Sequence, residues 1–297
     1  MIQPQKVTVE RSFFAQRFTY DRYAARDLCA AISSQFPEFS TRYTVNIGAG
    51  DGVSSNDPTF PLFMSGHGGL AIEGLASDEL MRNIPQENVK KITNFFVDPE
   101  NIIELFASQN VPVSPDFLKL DIDGFDGDIL MSILNRGYRP KIVQIEINAE
   151  IPPPISFCVH WNKDYRIVDD GGNISGFYGM SMQYANNLMS YFGYTLIDID
   201  FVQGGHDLVF CHNLYISALG GIAHRYCGKS MREIFNEHPP SWPHFREYGH
   251  DSVQWRNIND VARLAEEVWQ ACIDCNRRKH NGRVLPFHFG IHSFGRP

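Results

Sequence analysis

The stretch "VNIGAGDGVSSN", residues 45–56, leads from an apolar segment through three alternating glycines into small polar residues. Gly48, Gly50 and Gly52 leave the backbone bare, which permits sharp turns and the close approach of another molecule. In α/β proteins a bare loop of this kind follows the first strand of the sheet and binds nucleotide-like cofactors. The stretch therefore predicts an α/β fold with a cofactor-binding turn at residues 48–52.

The segments around this turn support the same fold. Helical periodicity at about 76–84, 99–109 and 126–136 alternates with short apolar runs, which read "YTVNIG", "GLAIEG", "VKKITNFFV", "DFLKLDIDG" and "KIVQIEIN". Short buried strands that alternate with helices are typical of parallel βαβ units. Further on, "YTLIDIDFV" and "HDLVFCHN" are joined by a short glycine turn and predict an antiparallel hairpin. We therefore expect a mixed sheet.

Three parts are expected along the chain. Apolar residues at helical spacing over 20–36 predict an N-terminal helical cover, assigned to residues 1–40. The cofactor-binding core is assigned to 41–212 and includes an irregular stretch at 149–178. Residues 213–297 contain an amphipathic helix that begins at Asn259 or Asp260. This last part predicts a helical appendage that serves as a lid or as a contact in a homo-oligomer.

The composition limits the classes of partner. A net charge of −8 over 297 residues argues against nucleic acid and against an anionic membrane surface. No apolar run approaches the roughly 20 residues that cross a membrane. Six cysteines in a chain of this length are typical of reduced thiols in a cytoplasmic protein. We expect a cytoplasmic protein that acts on a small molecule.

The spacing of the glycines distinguishes between cofactors. The dinucleotide pattern G-x-G-x-x-G would place its third glycine at position 53, which is Val53, whereas this chain has Gly52. Such a turn suits a ligand that has no pyrophosphate group, and S-adenosylmethionine is one. Glu73 ends the second predicted strand, where an acid can accept hydrogen bonds from both ribose hydroxyls. A carboxylate there disfavours the 2′-phosphate of NADP.

Acidic residues follow the fourth predicted strand, within "LKLDIDGFDGD" at 118–128. The carboxyl ends of parallel strands are where ligands of α/β proteins bind. We therefore assign Asp121 and Asp123 to the site, with Asp121 facing the cofactor. Asp126 and Asp128 are expected to cap the next helix.

Polar residues at the next two strands add two chemical hypotheses. Glu146 and Asn148 end the fifth strand on one face, and His206 begins the strand after the hairpin at the same edge. Asp123 or His206 could act as the base for an acceptor hydroxyl, and a neutral imidazole suits pH 7 better than an exposed aspartate. Alternatively, Asp121 or Asp123 together with Glu146 and Asn148 could hold Mg²⁺, which prefers hard oxygen ligands.

At this point the residues resemble a known family, the FkbM-type branch of the class I S-adenosylmethionine-dependent methyltransferases. The resemblance covers residues 43–148 and, more loosely, 176–212. The motifs that carry it are "VNIGAGDGVSSNDPTFPLF", "GLAIEG", "LKLDIDGFDGDIL" and "KIVQIEIN". It implies a Rossmann-like, seven-stranded sheet in the order 3-2-1-4-5-7-6 with helices on both faces.

The resemblance also implies roles for single residues around the cofactor. Glu73 would hold the ribose, and Asp121 would lie near the amino-acid end. Asn46 stands where the family's first motif usually has an acid, and His206 stands where relatives often have asparagine, so the family implies no catalytic role for it. The residues assigned to cofactor binding are Asn46, Gly48, Gly50, Gly52, Ser55, Glu73 and Asp121.

We therefore predict an S-adenosylmethionine-dependent O-methyltransferase that acts on a hydroxyl of a small molecule or sugar, with an optional divalent metal. Two other functions stay open. One is a nucleotide-cofactor oxidoreductase, against which the position of the third glycine counts. The other is a non-catalytic protein that binds the cofactor, against which the cluster of acids counts.

Overall fold

A computed structural model of the chain describes residues 2–11, 16–54, 57–169, 171–200, 206–238 and 243–292. Its strands are β1 (Gln5–Arg11), β2 (Gln16–Arg22), β3 (Tyr43–Ile47), β4 (Gly68–Ile72), β5 (Val89–Ile92), β6 (Phe117–Leu120), β7 (Ile142–Ile147), β8 (Ile155–Val159), β9 (Tyr194–Asp200), β10 (His206–His212) and β11 (Phe287–Ile291). Its α-helices are α1 (Ala25–Gln35), α2 (Phe60–Met64), α3 (Asp78–Asn83), α4 (Asn101–Ser108), α5 (Asp126–Asn135), α6 (Met182–Tyr191), α7 (Met231–Asn236), α8 (Ser252–Trp255) and α9 (Val261–Lys279).

Seven strands form the central sheet in the order β5-β4-β3-β6-β7-β10-β9. The strands β3 to β7 are parallel to one another, whereas β10 pairs antiparallel with both β7 and β9. When the strands are numbered within the sheet, this is the expected order 3-2-1-4-5-7-6. The predicted mixed α/β fold of the class I methyltransferase type is therefore confirmed.

The two faces of this sheet differ in polarity. On one face, apolar residues of β3, β6 and β7 such as Val45, Leu118 and Val143 pack against α4, α5 and α6. On the other face, α1 and the segment 213–224 cover part of the sheet. There the central strands carry Lys119 and Gln144, both buried. Because side chains alternate along a strand, buried polar residues form a row on one face only.

The N-terminal part is not the purely helical cover that we expected. Before α1, the strands β1 and β2 pair antiparallel over their whole length, from Gln5 opposite Arg22 to Arg11 opposite Gln16. The segment "QKVTVER" alternates apolar and polar residues, which is the period of a strand rather than of a helix. Among the described residues before Pro37, helical structure is confined to α1, at residues 25–35.

The C-terminal part is also mixed rather than helical. β11 pairs antiparallel with β8, from Phe287 opposite Val159 to Ile291 opposite Ile155. β8 lies inside the stretch expected to be irregular, and its five residues are all buried. A continuous apolar run of this length is typical of a buried strand. The predicted amphipathic helix is α9, whose first amides bond to the side chain of Asp260.

A buried cluster joins this part to the rest of the fold. Residues of α9 pack with β8 and with aromatic residues that include Phe177, Phe245 and Trp255.

All six cysteines are free thiols, and the cytoplasmic location stays a prediction. None of the helices in the described residues is both long and apolar enough to cross a membrane.

Asp116 is the buried charge at the amino edge of the sheet, just before β6. Its carboxylate accepts hydrogen bonds from the backbone amides of Thr41 and Arg42 at 3.1 and 2.9 Å. It also pairs with the ammonium of Lys141, which is equally buried. Burial alone would raise the pKa of Asp116, but hydrogen bonds from His67, Lys141 and Thr41 hold that pKa well below its usual range. The carboxylate thus connects the chain before β3 to β6 and β7.

We predict that Asp116→Asn lowers the free energy of unfolding by about 3–5 kcal/mol, because it leaves the Lys141 ammonium buried without a counter-charge. Urea titration followed by circular dichroism measures this change. The matched control is Asp164→Asn, which removes the partner of Arg283 in an exposed ion pair and should leave the midpoint unchanged. Equal midpoints for Asp116→Asn and the wild type would contradict the prediction.

Candidate functional site

The glycine turn after β3 is held against β4 and β6. The amides of Gly48 and Ala49 donate to the carbonyl of Ile72 at 3.0 and 2.9 Å. Gly48 has a φ of +80°, and a Cβ at this position would lie 1.6 Å from the backbone oxygen of Asp121. Only glycine fits there. The bare residue lets the ends of β3 and β6 come into contact.

The other two glycines have different surroundings. A Cβ at Gly52 would lie 2.8 Å from Ile84 and 2.9 Å from Leu80, so that glycine serves the packing of the turn against α3. At Gly50, with a φ of +55°, a Cβ would meet nothing within 4 Å. Of the three predicted glycines, Gly50 is therefore the one that faces open space, where a ligand can approach the backbone.

Glu73 lies directly beside this open position. One carboxylate oxygen accepts a hydrogen bond from the amide of Gly50 at 2.7 Å, and the other accepts one from the amide of Leu75 at 3.0 Å. A carboxylate oxygen has room for a second donor. Glu73 can therefore bind a pair of hydroxyl groups while it holds the turn in place.

Asn46, also assigned to the cofactor, is buried below the turn. Its amide nitrogen donates to Asp57 at 2.9 Å and to Thr59 at 2.8 Å. Within the described residues its side-chain oxygen has no hydrogen-bond partner. Asn46 thus fixes the segment that follows the turn and is not exposed at the open position. Ser55 lies outside the described residues.

Acidic side chains from three strands form a row on the polar face of the sheet. Glu146 of β7 stands opposite Asp207 of β10, and Asp121 directly follows β6 beside them. Side-chain oxygens of Asp121, Asp123 and Glu146 lie within 4.8 Å of one another. The predicted convergence of these three acids is therefore present in the structure. Asp207 was missed because the register of an antiparallel strand is not visible in the sequence.

One buried cation balances this row. The ammonium of Lys119 lies 2.9 Å from a carboxylate oxygen of Asp121, 3.9 Å from one of Asp57, and 3.3 Å from the carbonyl oxygen of Gly48. Burial alone would lower the pKa of Lys119, but Asp121, Asp57 and Asp207 outweigh it and raise that pKa well above its ordinary value. Lys119 therefore stays charged and ties the glycine turn to the acids.

The remaining carboxyl groups share protons. Burial, and then the charge of Asp121, raises the pKa of Asp123, of Glu146 and, to about 8, of Asp207. Within the described residues, one oxygen of Glu146 and one of Asp207 are buried without a hydrogen-bond partner. A site of this kind favours a positively charged ligand, because each added positive charge offsets the repulsion among the acids.

Two acids expected to cap α5 have other roles. The carboxylate of Asp126 accepts hydrogen bonds from the amides of Ile122 and Gly124 at 2.9 and 3.1 Å and so braces the loop that carries Asp123. Asp128 contacts His160 and the amide of Trp161. Both acids lie in the first turn of α5, as expected, but their hydrogen bonds go to these other groups and not to the helix amides. The residue before α5, Phe125, makes no side-chain cap.

Asn148 is engaged with the neighbouring backbone. Its amide nitrogen donates to the carbonyls of Gly176 and Tyr178 at 2.7 and 3.2 Å, and its oxygen accepts from the amide of Glu150 at 3.2 Å. These bonds fix the segment 176–178 above the end of β7. The amide oxygen expected to bind a metal is therefore used by the protein itself, and the oxygen cluster consists of carboxylates.

His206 lies at the predicted edge but on the wrong face. It stands opposite Ile147, whereas the acid Glu146 stands opposite Asp207. Since neighbouring residues of a strand point to opposite faces, the His206 side chain faces away from the acids. It lines a small cavity with Met182 and other residues of the apolar face. The assignment of His206 as the base is corrected accordingly.

The C-terminal part and the irregular stretch before α6 reach the site as well, through residues that the sequence analysis did not assign to it. The hydroxyl of Tyr165 donates to the backbone oxygen of Asp123 at 3.0 Å. Lys279, at the end of α9, donates to that hydroxyl at 3.1 Å and to the carbonyl of Phe177 at 3.0 Å. Burial lowers the pKa of Lys279 to about 7. Tyr165 and Lys279 were missed because they lie far from the acids in sequence.

Comparisons with known proteins give distant likenesses. No protein-family model matches the chain, and neither does any curated protein. Among solved structures, a 1,6-didemethyltoxoflavin-N1-methyltransferase of Burkholderia thailandensis with S-adenosylhomocysteine bound is 14% identical, covers 63% of this chain and 76% of its own, and has a TM-score of 0.36.

Two further structures are similar in the same way. One is the O-methyltransferase NcsB1 from neocarzinostatin biosynthesis, in complex with S-adenosylhomocysteine and 1,4-dihydroxy-2-naphthoic acid. It is 11% identical, the match covers 63% of this chain and 56% of NcsB1, and the TM-score is 0.31. The other is the Methanococcus jannaschii fibrillarin pre-rRNA processing protein. It is 14% identical, the match covers 70% of this chain and 83% of that protein, and the TM-score is 0.37. The neighbours thus include methyltransferases crystallised with S-adenosylhomocysteine. At these scores they carry no conclusion about this chain.

Proposed function

We propose that this chain is an S-adenosylmethionine-dependent methyltransferase that methylates a hydroxyl of a small molecule or sugar. The observation that supports this most is the open position at Gly50, whose amide bonds to Glu73 at 2.7 Å. A bare backbone and a ribose-binding acid stand side by side at the carboxyl edge of the sheet, next to a row of acids. This is the place where α/β sheets bind nucleotide-like ligands.

The residues present can be matched to the parts of the cofactor. Gly50 leaves its side of the turn open to the adenosyl group, Glu73 can hold the ribose hydroxyls, and Asp121 can face the amino-acid end. The acid row suits a ligand that carries a positive sulfur and an ammonium group. When bound, S-adenosylmethionine supplies a methyl group activated by the sulfonium. The chain itself must hold the acceptor next to it, exclude water and take up the hydroxyl proton.

An oxidoreductase that uses a dinucleotide is the weaker candidate. Dinucleotide sites seat the pyrophosphate on the N-terminus of a helix that directly follows the glycine turn. In the described part of the chain, the next α-helix after the turn is α2, which begins at Phe60 and has five residues. Gly52, moreover, packs against Leu80 and Ile84 instead of opening such a helix. A non-catalytic binding protein would keep the pocket but would not transfer the methyl group.

A divalent metal is the remaining variant of the mechanism. Three carboxylates within 4.8 Å offer the hard oxygen atoms that Mg²⁺ prefers. However, Asp121 already pairs with Lys119 at 2.9 Å, and Asn148 is bound to the backbone. Protons shared among the acids, together with Lys119, can balance their charge. We therefore propose that methyl transfer proceeds without a bound metal.

The first prediction from the proposed function concerns the open glycine, Gly50. Gly50→Ala should weaken the binding of S-adenosylhomocysteine roughly 10- to 100-fold, because the new methyl group occupies the space of the ligand. Isothermal titration calorimetry measures the affinity. The matched control is Gly137→Ala, where φ is +91° and a Cβ also meets nothing within 4 Å. Both variants carry a similar backbone strain of about 1–2 kcal/mol, but only the first should lose affinity.

Calorimetry of the unmodified chain also separates the cofactor classes. We expect heat of binding with S-adenosylhomocysteine and none with NAD. Binding of NAD alone would favour the oxidoreductase, and equal affinities of Gly50→Ala and Gly137→Ala would remove the main support for the proposed pocket.

The second prediction concerns the ribose. Glu73→Gln should weaken S-adenosylhomocysteine binding about 10- to 100-fold, since hydrogen bonds to a charged group contribute about 1.5–3 kcal/mol. The 2′,3′-dideoxy analogue of the ligand should bind both forms equally, because it has no hydroxyls for the acid to hold. Glu79→Gln, at an exposed acid of α3, serves as the control. A similar loss with both ligands would show that Glu73 only supports the turn.

The third prediction concerns the metal. We expect the same melting temperature in EDTA and in millimolar Mg²⁺, because the carboxylates are already balanced by Lys119 and by protons. Differential scanning fluorimetry reports any binding to the folded state as a rise in melting temperature. A rise in Mg²⁺ that disappears in Glu146→Gln would instead support the metal-bound variant.

A further inference from the structure

Glu150 and His244 form a buried acid–imidazole pair next to the candidate site. Glu150 lies three residues beyond β7, and its carboxylate accepts a hydrogen bond from Nδ1 of His244 at 3.0 Å. It also accepts from the backbone amides of His244 and Phe245 at 2.8 and 3.3 Å, and from the hydroxyl of Ser252. The side chain of Glu150 is 2% exposed, whereas that of His244 is 15% exposed. The carboxylate is thus enclosed by the protein, whereas part of the imidazole ring is accessible to solvent.

The imidazole lies on the side of the acid row. Its ring packs edge-on against Tyr178, with the ring centroids 5.7 Å apart. The carbonyl of Tyr178 accepts a hydrogen bond from Asn148 at the end of β7 at 3.2 Å. The amide of the next residue, Gly179, donates to the carbonyl of Gly124, in the loop that carries Asp123, at 2.6 Å. Burial, and then the charges of Glu146, Glu150 and Asp123, raise the pKa of Tyr178. The pair therefore lies near the carboxyl edge of the sheet, on the side of the loop that carries Asp123.

On the basis of the methyltransferase function proposed above, we propose that His244 is the base that takes the proton from the acceptor hydroxyl, and that Glu150 is its positioning residue. Both oxygens of Glu150 already accept hydrogen bonds, from two backbone amides and from Ser252. In the 3.0 Å bond Nδ1 of His244 is therefore the donor, and the lone pair of the neutral ring lies on Nε2. A nucleophile, a base and a third group that orients the base form the arrangement that activates hydroxyl groups.

The proton transfer balances without another reactant. The O–H bond of the acceptor breaks, its electron pair stays on the oxygen, and the proton forms a new N–H bond at Nε2 of His244. The imidazole becomes an imidazolium, and the buried carboxylate of Glu150 stabilises that charge. The oxygen is then the nucleophile for the methyl group.

His244 is a better base than the two residues predicted from sequence. His206 points to the other face of the sheet. Asp123 competes for protons with Asp121 and Glu146, whose oxygens lie within 4.8 Å of its own, and the loop that carries it is held by Asp126 and Tyr165. His244 bonds to Glu150 through Nδ1, which is the nitrogen that is not needed for catalysis.

The first test needs no acceptor. Long-range ¹H–¹⁵N NMR of the full chain, labelled on histidine, reports which ring nitrogen carries the proton, and His244→Asn assigns the signal. We expect His244 with a proton on Nδ1 and none on Nε2 near neutral pH. A proton on Nε2 of the neutral ring would overturn the inference, whereas absence of S-adenosylhomocysteine binding by the wild type would instead overturn the proposed function.

The second test separates catalysis from structure. His244→Asn keeps an N–H donor for Glu150 but has no base, so it should bind S-adenosylhomocysteine as the wild type does. Transfer of label from S-adenosylmethionine to a deproteinised cell extract should fall about 100-fold or more, the usual effect of removing a general base. His244→Ala should regain part of this transfer when imidazole is added.

The matched control is a second acid–imidazole pair of the C-terminal part. Nε2 of His250 lies 3.2 Å from Asp274, and the imidazole is 20% exposed. His250→Asn removes an imidazole of similar burial whose ring bonds to Asp274 and not to Glu150, and it should leave label transfer unchanged. Transfer by His244→Asn within twofold of the wild type, or an equal loss in His250→Asn, would overturn the role of His244.

Discussion

The charge of Lys119 is the constraint on which the candidate site depends. An ammonium buried in the middle of a sheet is costly unless carboxylates and carbonyls surround it. Lys119 has Asp121, Asp57 and the carbonyl of Gly48 around it. It therefore fixes the end of β6 to the turn after β3. Without this cation the row of acids would have to bind further protons.

The bare backbone of Gly48 makes this arrangement possible. Because a Cβ there would overlap the backbone oxygen of Asp121, any other residue would push the turn away from β6. The carbonyl of Gly48 would then move away from Lys119. The same residue thus sets the path of the backbone and the charge balance of the site. Gly50, two residues further on, contacts neither the backbone of Asp121 nor Lys119. It leaves the space that a ligand needs.

Local patterns in the sequence predicted much of this structure, and pairings between distant segments account for the rest. The strand order was implied by the family resemblance, whereas the glycine turn and the convergence of Asp121, Asp123 and Glu146 follow from the parallel alternation of strands and helices. The face of His206 does not, because a shift of one residue between β7 and β10 would reverse it. His244 and Lys279 approach the acids only through the packing of a C-terminal part that has no motif of its own.

That packing also bears on how the site keeps water away from the acids. The C-terminal part shares a buried cluster with β8, and β11 completes a small sheet with it. Through Lys279 and Tyr165 it reaches the loop of Asp123, and through His244 it reaches Glu150. The C-terminal part is anchored by a strand, by a helix and by buried charged side chains. It therefore resembles a fixed part of the site more than a mobile lid. The proposed acceptor site would then lie between the carboxyl edge of the sheet and the C-terminal part.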